Sequence, residues 1–193
     1  MTENISPTTE QIRNFVIAAH GNLPRVRELL VECPELLNER YPWAENDQET
    51  AIQAAAQAGS ASVAEYLLAR GAPLEICTAA MLGLKKDVSQ MLDKDPKLIK
   101  AHGAHGISLL AHAALSNNIP LVKMLFESGA SEGASHALGN AVMKGYVELA
   151  AWLLKNAHPD LNWKDYEGKS LATLAGERKD KAMLTLLQEH GAL

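Results

Sequence analysis

The chain is poor in aromatic residues: they make up 5% of its 193 residues, against 47% hydrophobic residues overall, so alanine and leucine must carry the core. That balance points to closely packed helices and away from a sandwich, which draws on β-branched and aromatic side chains. The 2 cysteines, Cys33 and Cys77, form no C-x-x-C pair. Two ordinary buried thiols in a reduced setting are expected, and with them a cytoplasmic protein. No block of Lys and Arg stands out and the formal net charge is −5, so the electrostatic footprint of a nucleic-acid binder is missing. No apolar run approaches the ~20 residues needed to span a bilayer. The opening MTENISPTTEQ lacks the charged-then-apolar layout of a signal peptide. Neither nucleic acid nor membrane is expected as a partner.

The motifs of catalysis are missing as well. With no convincing strand, no glycine-rich phosphate cradle follows one, and G-K-S at 168–170 lacks the glycine that a P-loop needs five residues before it. There is no G-x-S-x-G. No catalytic residue, no cofactor and no enzyme activity are expected. The nearest approach to a reactive cluster is His102, His105 and His112 in KAHGAHGISLLAHAA. Loop histidines with one more on the following helix are zinc-ligand types, but the spacing matches no ligand signature and no cysteine stands near. The first expectation is therefore no metal, with His102 and His105 bonding backbone groups in a loop and His112 on a helix. A small-ligand or metal-binding module built on His102, His105 and His112 is the alternative reading.

What the chain does have is a repeat. With Gly59 as anchor, equivalent anchors stand at Gly21, Gly83, Asn117, Gly145 and Lys179. Four residues before them come Ile17, Ala55, Ala79, Ala113, Ala141 and Ala175; five after come Val26, Ala64, Val88, Val122, Ala150 and Leu184. Eight after come Leu29, Leu67, Met91, Leu125, Leu153 and Leu187, again all apolar. Apolar sites three or four apart on both sides of the anchor describe one buried face on each of two helices, with the anchor at the turn between them. Thr50, Ser108 and Ser170 are placed to cap first helices, and Pro24 and Pro120 to open second ones, where a missing N–H costs nothing. Small residues such as Ala55 and Ala56 let neighbouring units approach closely. Thr8 and Gln11 can form a capping box at the start, and the polar Arg13, Asn14, Gln188, Glu189 and His190 suit the solvent-facing ends that a stack of repeats requires.

These residues resemble the ankyrin repeat family. T-A-I-Q-A-A-A-Q-A-G at 50–59 is similar to the T-P-L-H-x-A-A-x-x-G motif, VAEYLLARGA at 63–72 to the second helix with its closing Gly-Ala, and DYEGKSLATLAGER at 165–178 to the D-x-x-G-x-T opening of a unit. The resemblance covers residues 8–193 and implies an all-α solenoid of stacked helix-turn-helix units. The departures are the missing proline and histidine (Ala51 and Gln53 in the second unit) and the missing capping threonine, replaced by Leu74 and His136 in the third and fifth units.

Anchor spacings of 38, 24, 34, 28 and 34 alternate between long and short. Long spacers around ERYPWAENDQE, KAHGAHGIS and LNWKDYEGKS are expected to project as fingers, and short spacers leave room only for tight turns. With units stacked about 10 Å apart, fingers should recur at every second unit. A single domain, 1–193, is expected, with units at about 8–37, 38–73, 74–99, 100–132, 133–161 and 162–193.

The resemblance implies a non-enzymatic interaction module that binds another protein through the concave groove and the finger loops, as a monomer. Finger residues and the two residues before each anchor are the positions that meet a partner in that family. The pairs before the anchors here are Ala19 and His20, Gln57 and Ala58, Met81 and Leu82, Leu115 and Ser116, Met143 and Lys144, and Glu177 and Arg178. From these and the fingers, the candidate contact residues are Tyr41, Trp43, Asn46, Asp47, Glu49, Gln57, Met81, Leu82, His105, Ile107, Leu115, Met143, Trp163, Tyr166 and Lys169. Two readings stay open for the apolar members Met81, Leu82, Leu115 and Met143: an adaptable binding surface, or residues buried because short spacers draw the loops inward. Trp43 and Trp163 could be contact hot spots or could pin their fingers to the helices beneath.

Overall fold

The computed structural model describes residues 6–192; residues 1–5 and 193, which the expected domain includes, lie outside them. Among the described residues twelve α-helices follow one another: α1 (Thr9–Ala19), α2 (Leu23–Glu32), α3 (Ala51–Ala58), α4 (Ala61–Leu68), α5 (Ile76–Met81), α6 (Lys85–Lys94), α7 (Leu109–Leu115), α8 (Ile119–Glu127), α9 (Ala134–Lys144), α10 (Val147–Asn156), α11 (Leu171–Glu177) and α12 (Lys181–Glu189). Consecutive helices pack in pairs, and the first helices α1, α3, α5, α7, α9 and α11 pack in a row, each against the next. This is an all-α repeat stack. Two hydrophobic clusters run through it. One joins α1–α4 with Met81 and Leu115, and the other joins α5–α12.

Local chemistry explains where the elements begin and end. Thr8 closes a capping box with Gln11, and Thr50 closes one with Gln53, so two backbone donors are satisfied at each of those starts. Ser108 and Ser170 accept from the third residue of α7 and α11. Pro24 and Pro120 sit in the first turns of α2 and α8. Five of the six anchors adopt the left-handed backbone, φ running from 54° to 77°, and two of them, Asn117 and Lys179, are not glycine. Gly21 is the exception; it is exposed, and the chain leaves α1 through a right-handed His20. The turn thus selects the conformation and tolerates an asparagine or a lysine where the periodicity holds the helices on either side.

The aligned apolar positions form the core with few departures. Ala55, Ala79, Ala113, Ala141 and Ala175 are fully buried, as are Val26, Ala64, Val88, Val122 and Ala150, while Ile17 is exposed on the outer side of α1. The third and fifth units correct the sequence reading. α5 starts after Glu75, one residue past Leu74, and α9 starts after Gly133, so His136 lies inside the first turn of α9. Neither start has a side-chain cap.

The expectation of no strands is also corrected. In the first finger, β1 (Arg40–Ala44) and β2 (Asp47–Thr50) pair as an antiparallel hairpin, with Tyr41 opposite Glu49 and Arg40 opposite Thr50. The strands are short, and Pro42 with a register shift between Pro42 and Ala44 interrupts the first, which hides the pairing. In the other long spacers, single bridges join His102 to Ser108 and Lys164 to Ser170. After α4 and α8 the chain returns through tight turns at Gly71 and Gly129.

Candidate functional site

Three fingers stand at one end of the first helices, and their capping residues Thr50, Ser108 and Ser170 put them in a common register. The first two are joined. His105, in the left-handed region at φ 56°, aims its ring at the tip of β2. Its backbone N–H donates to Asp47 Oδ1 at 3.2 Å, and its Nδ1 lies 2.5 Å from Asp47 Oδ2. These residues are 58 apart in sequence. They meet because no finger stands between them: the spacer before α5 is one of the short ones.

Beneath this bridge lies Glu49, a fully buried acid. Its Oε2 accepts from Trp43 Nε1 at 2.7 Å and stands 3.5 Å from His105 Nε2. Its Oε1 has no hydrogen-bond partner and faces His20 Nε2 at 3.9 Å. Burial raises the Glu49 carboxyl above the usual carboxylate range, while the Trp43 N–H and the two imidazoles act the other way. His20 Nδ1 donates to Val16 O at 3.0 Å, and its Nε2 lies 2.7 Å from the Gln57 amide. Tyr41 meets Trp43 edge to face at 4.7 Å, and Trp43 keeps 37% of its surface in solvent.

The third finger is closed on itself. Asp165 Oδ1 accepts from the backbone of Glu167 at 3.0 Å and of Lys169 at 2.8 Å. Trp163 turns inward against His136, ring centroids 5.6 Å apart, and over Gly139, where its ring occupies the space a Cβ would need. Tyr166 at the tip is 94% exposed. Lys169 bridges Glu167 Oε2 at 2.8 Å and Glu177 Oε1 at 3.0 Å; these hydrogen bonds, Glu167 first, raise its ammonium above the ordinary lysine value.

The groove positions separate into two groups. Met81 is 3% and Leu115 6% exposed, both inside the first hydrophobic cluster. Of the two readings held open for them, burial is the one realised, and Met81 and Leu115 are withdrawn from the accessible candidates. A Cβ on Gly59 would stand 3.2 Å from Leu115 Cδ2 and 3.2 Å from Lys144 Nζ, so the end of α9 reaches back across the row to the turn after α3. Met143 remains open at 39%, and Leu82 is half-buried. Glu49 is likewise withdrawn from direct contact by its burial. Asn46 is exposed at the hairpin tip, while Gln57 and Ile107 are half-buried.

The histidine alternative finds no geometry. His105 is turned to the first finger, and His102 Nε2 pairs with Glu132 Oε1 at 3.1 Å beside a cleft of about 240 Å³. His112 is buried under Gly103 with its Nδ1 donating to Ser108 O at 2.9 Å, and burial pushes the imidazole down to about 4. Among the described residues no group of three or more His, Cys, Asp or Glu side chains is placed to hold a metal ion. Cys77 is an inert thiol, pushed up to about 12 by burial.

His20 stands just before the anchor Gly21, at one of the family's contact positions, but is absent from the candidate residues. Glu49, Ile107 and Lys169 occupy the same register position, the residue before the capping hydroxyl, and only Glu49 is buried there, so the register gives no sign that it faces inward. Nothing local connects His20 to it.

Among the described residues no helix is long and apolar enough to cross a membrane. A family model described as ankyrin repeats, in three copies, matches residues 15–136. No curated protein matches the chain.

Proposed function

The chain belongs to the ankyrin repeat family, whose stacks are generally protein–protein interaction modules, and we propose that it binds another protein through its finger tips and the open part of its groove. The proposal treats the chain as one non-enzymatic domain of six units, cytoplasmic and monomeric, with no cofactor. The observation that carries it is the presentation of aromatic surface on fingers whose backbones are already fixed. Trp43 is held by Glu49 and Tyr41 on a hairpin tied to the next finger, and Tyr166 stands free on a finger that Asp165 closes. Aromatic side chains carry a large share of binding energy at interfaces, and a loop fixed before association loses less entropy when it binds. Tyr41, Asn46, Gln57, Leu82, Met143 and Lys169 complete the accessible surface beside them. Asp47, Glu49, His105 and Trp163 hold the fingers in place, and Met81 and Leu115 support the helices below.

The test is capture from native lysate by the wild type beside a variant carrying Trp43→Ala, Met143→Ala and Tyr166→Ala, with Val31→Ala on α2 as a control at a distant exposed site. A protein held by the wild type and the control but lost by the triple variant, all folded by circular dichroism, supports the reading. Equal capture by all three overturns it.

A further inference from the structure

The cluster at the junction of the first two fingers lacks a positive charge that its geometry calls for. A backbone carbonyl only accepts, so His20 Nδ1 carries its proton toward Val16 O, and its Nε2 takes an N–H from the Gln57 amide. A carboxylate only accepts, so His105 Nδ1 carries its proton toward Asp47. Both neutral rings then turn lone pairs, not protons, toward Glu49. Glu49 itself is fully buried, has one donor, Trp43 Nε1, and leaves Oε1 unpartnered. An ionised carboxyl in that position is costly without a paired charge. The titratable groups facing it are His20 at the end of α1, His105 from the second finger and Asp47 on its own strand; Trp43 of β1 and Gln57 of α3 add only neutral donors.

We propose that the junction is a proton-linked clamp: docking the second finger onto the first takes up one proton at Glu49, and lifting it releases that proton. With the proton in place Glu49 is a neutral acid, its O–H either on Oε1, the unpartnered oxygen, or on Oε2 and turned to the lone pair of His105 Nε2. Both forms remove the uncompensated buried charge. Lifting the finger takes His105 off Oε2 and lets water reach Glu49, which then ionises freely. Uptake of one proton makes the closed-to-open ratio fall by up to tenfold for each pH unit between the ordinary Glu titration of the open form and the raised titration of the closed one, and level off above it. The clamp would set how long the first two fingers present a single wall, so its use in regulation rests on the binding role proposed above; the proton linkage itself does not.

The experiment therefore needs no partner. Thermal midpoints of the full chain are followed from about pH 5 to pH 9, wild type against Glu49→Gln, which keeps the shape and supplies an N–H in place of the proton. Contributions from other groups, the buried His112 among them, are common to both proteins and cancel in the difference. The expected result is a gain for Glu49→Gln that grows with pH, together with nitrogen chemical shifts of the His105 ring that change with pH in the wild type and follow a different curve in the variant. A difference in midpoint that stays constant with pH overturns the proposal. Zinc that raises the wild-type midpoint but not that of Glu49→Gln also overturns it, because a metal would then hold the place assigned to the proton. If Glu49→Gln fails to fold, Asp47→Asn provides the second comparison: it removes one of the two carboxylates on His105, and a pH dependence identical to that of the wild type overturns the clamp.

Discussion

In the first finger the residue before the capping hydroxyl is Glu49, buried beneath Trp43 and His105; in the third finger it is Lys169, at the surface between Glu167 and Glu177. The two fingers have similar lengths of chain and the same register. They are held by different means. The third follows the family's Asp-x-x-Gly turn, and Asp165 spends its carboxylate on its own backbone. The first has Gln48 where the third has Gly168, and Asp47 gives its carboxylate to the neighbouring finger. A finger closed on itself leaves its tip free, as Tyr166 shows; a finger joined to its neighbour gives up independence for a common wall.

Acid should separate the two regions most strongly. His112 lies under the second finger and is kept neutral by burial, its pKa lowered from 6.5 to about 4. For a base with a depressed native value, the unfolded chain binds the proton more tightly. The stability it contributes is present above about pH 6.5 and is lost as the pH falls toward 4. The loss approaches about 3 kcal/mol over that interval. The His136 imidazole, against Trp163 of the third finger, is lowered by burial in the same direction but by a smaller shift, so amide exchange measured across the interval should show protection falling around the second finger before the third. Equal loss in both would mean that the two share one unfolding unit.

The third finger should respond to Gly139→Val. A Cβ at that position collides with the Trp163 ring, and overpacking of this kind costs about 1–3 kcal/mol. Trp163 fluorescence should shift to the red as its ring is expelled, while the Asp47–His105 contact, followed through the His105 amide resonance, stays in place. Disturbance of that resonance would break the claim that the fingers are independent.

The smallest effects concern the charged residues themselves. Asp47→Asn removes a charge-assisted pair at a half-exposed site and should cost about 1 kcal/mol, with the His105 amide losing its protection. Lys169→Ala removes an ion pair of the surface kind, whose measured worth is close to nothing, and its midpoint should coincide with that of the wild type. If the two substitutions proved equal, burial would not be what distinguishes the fingers.

Much of this was legible in the sequence. The anchors, the buried stripe on each helix, the capping hydroxyls and the three fingers follow from spacings of a few residues, because helix periodicity, caps and turns are local effects. Even the left-handed Asn117 and Lys179 could be placed from their flanks. The first finger's ladder is not legible in the sequence, because its strands are very short and a proline and a register shift interrupt the first.

The sequence by itself thus determined which segments become helices, which face of each is buried and where the chain must project. Tertiary structure alone decided what the projections touch. That His105 reaches Asp47 across 58 residues, that His20 stands beside Glu49, and that the Lys144 side chain comes up to Gly59 are consequences of how far each unit rotates on the next. Such rotations are set by the summed packing of whole helix faces. No single residue carries that information, and so an exposed acid on paper becomes a buried one in the fold.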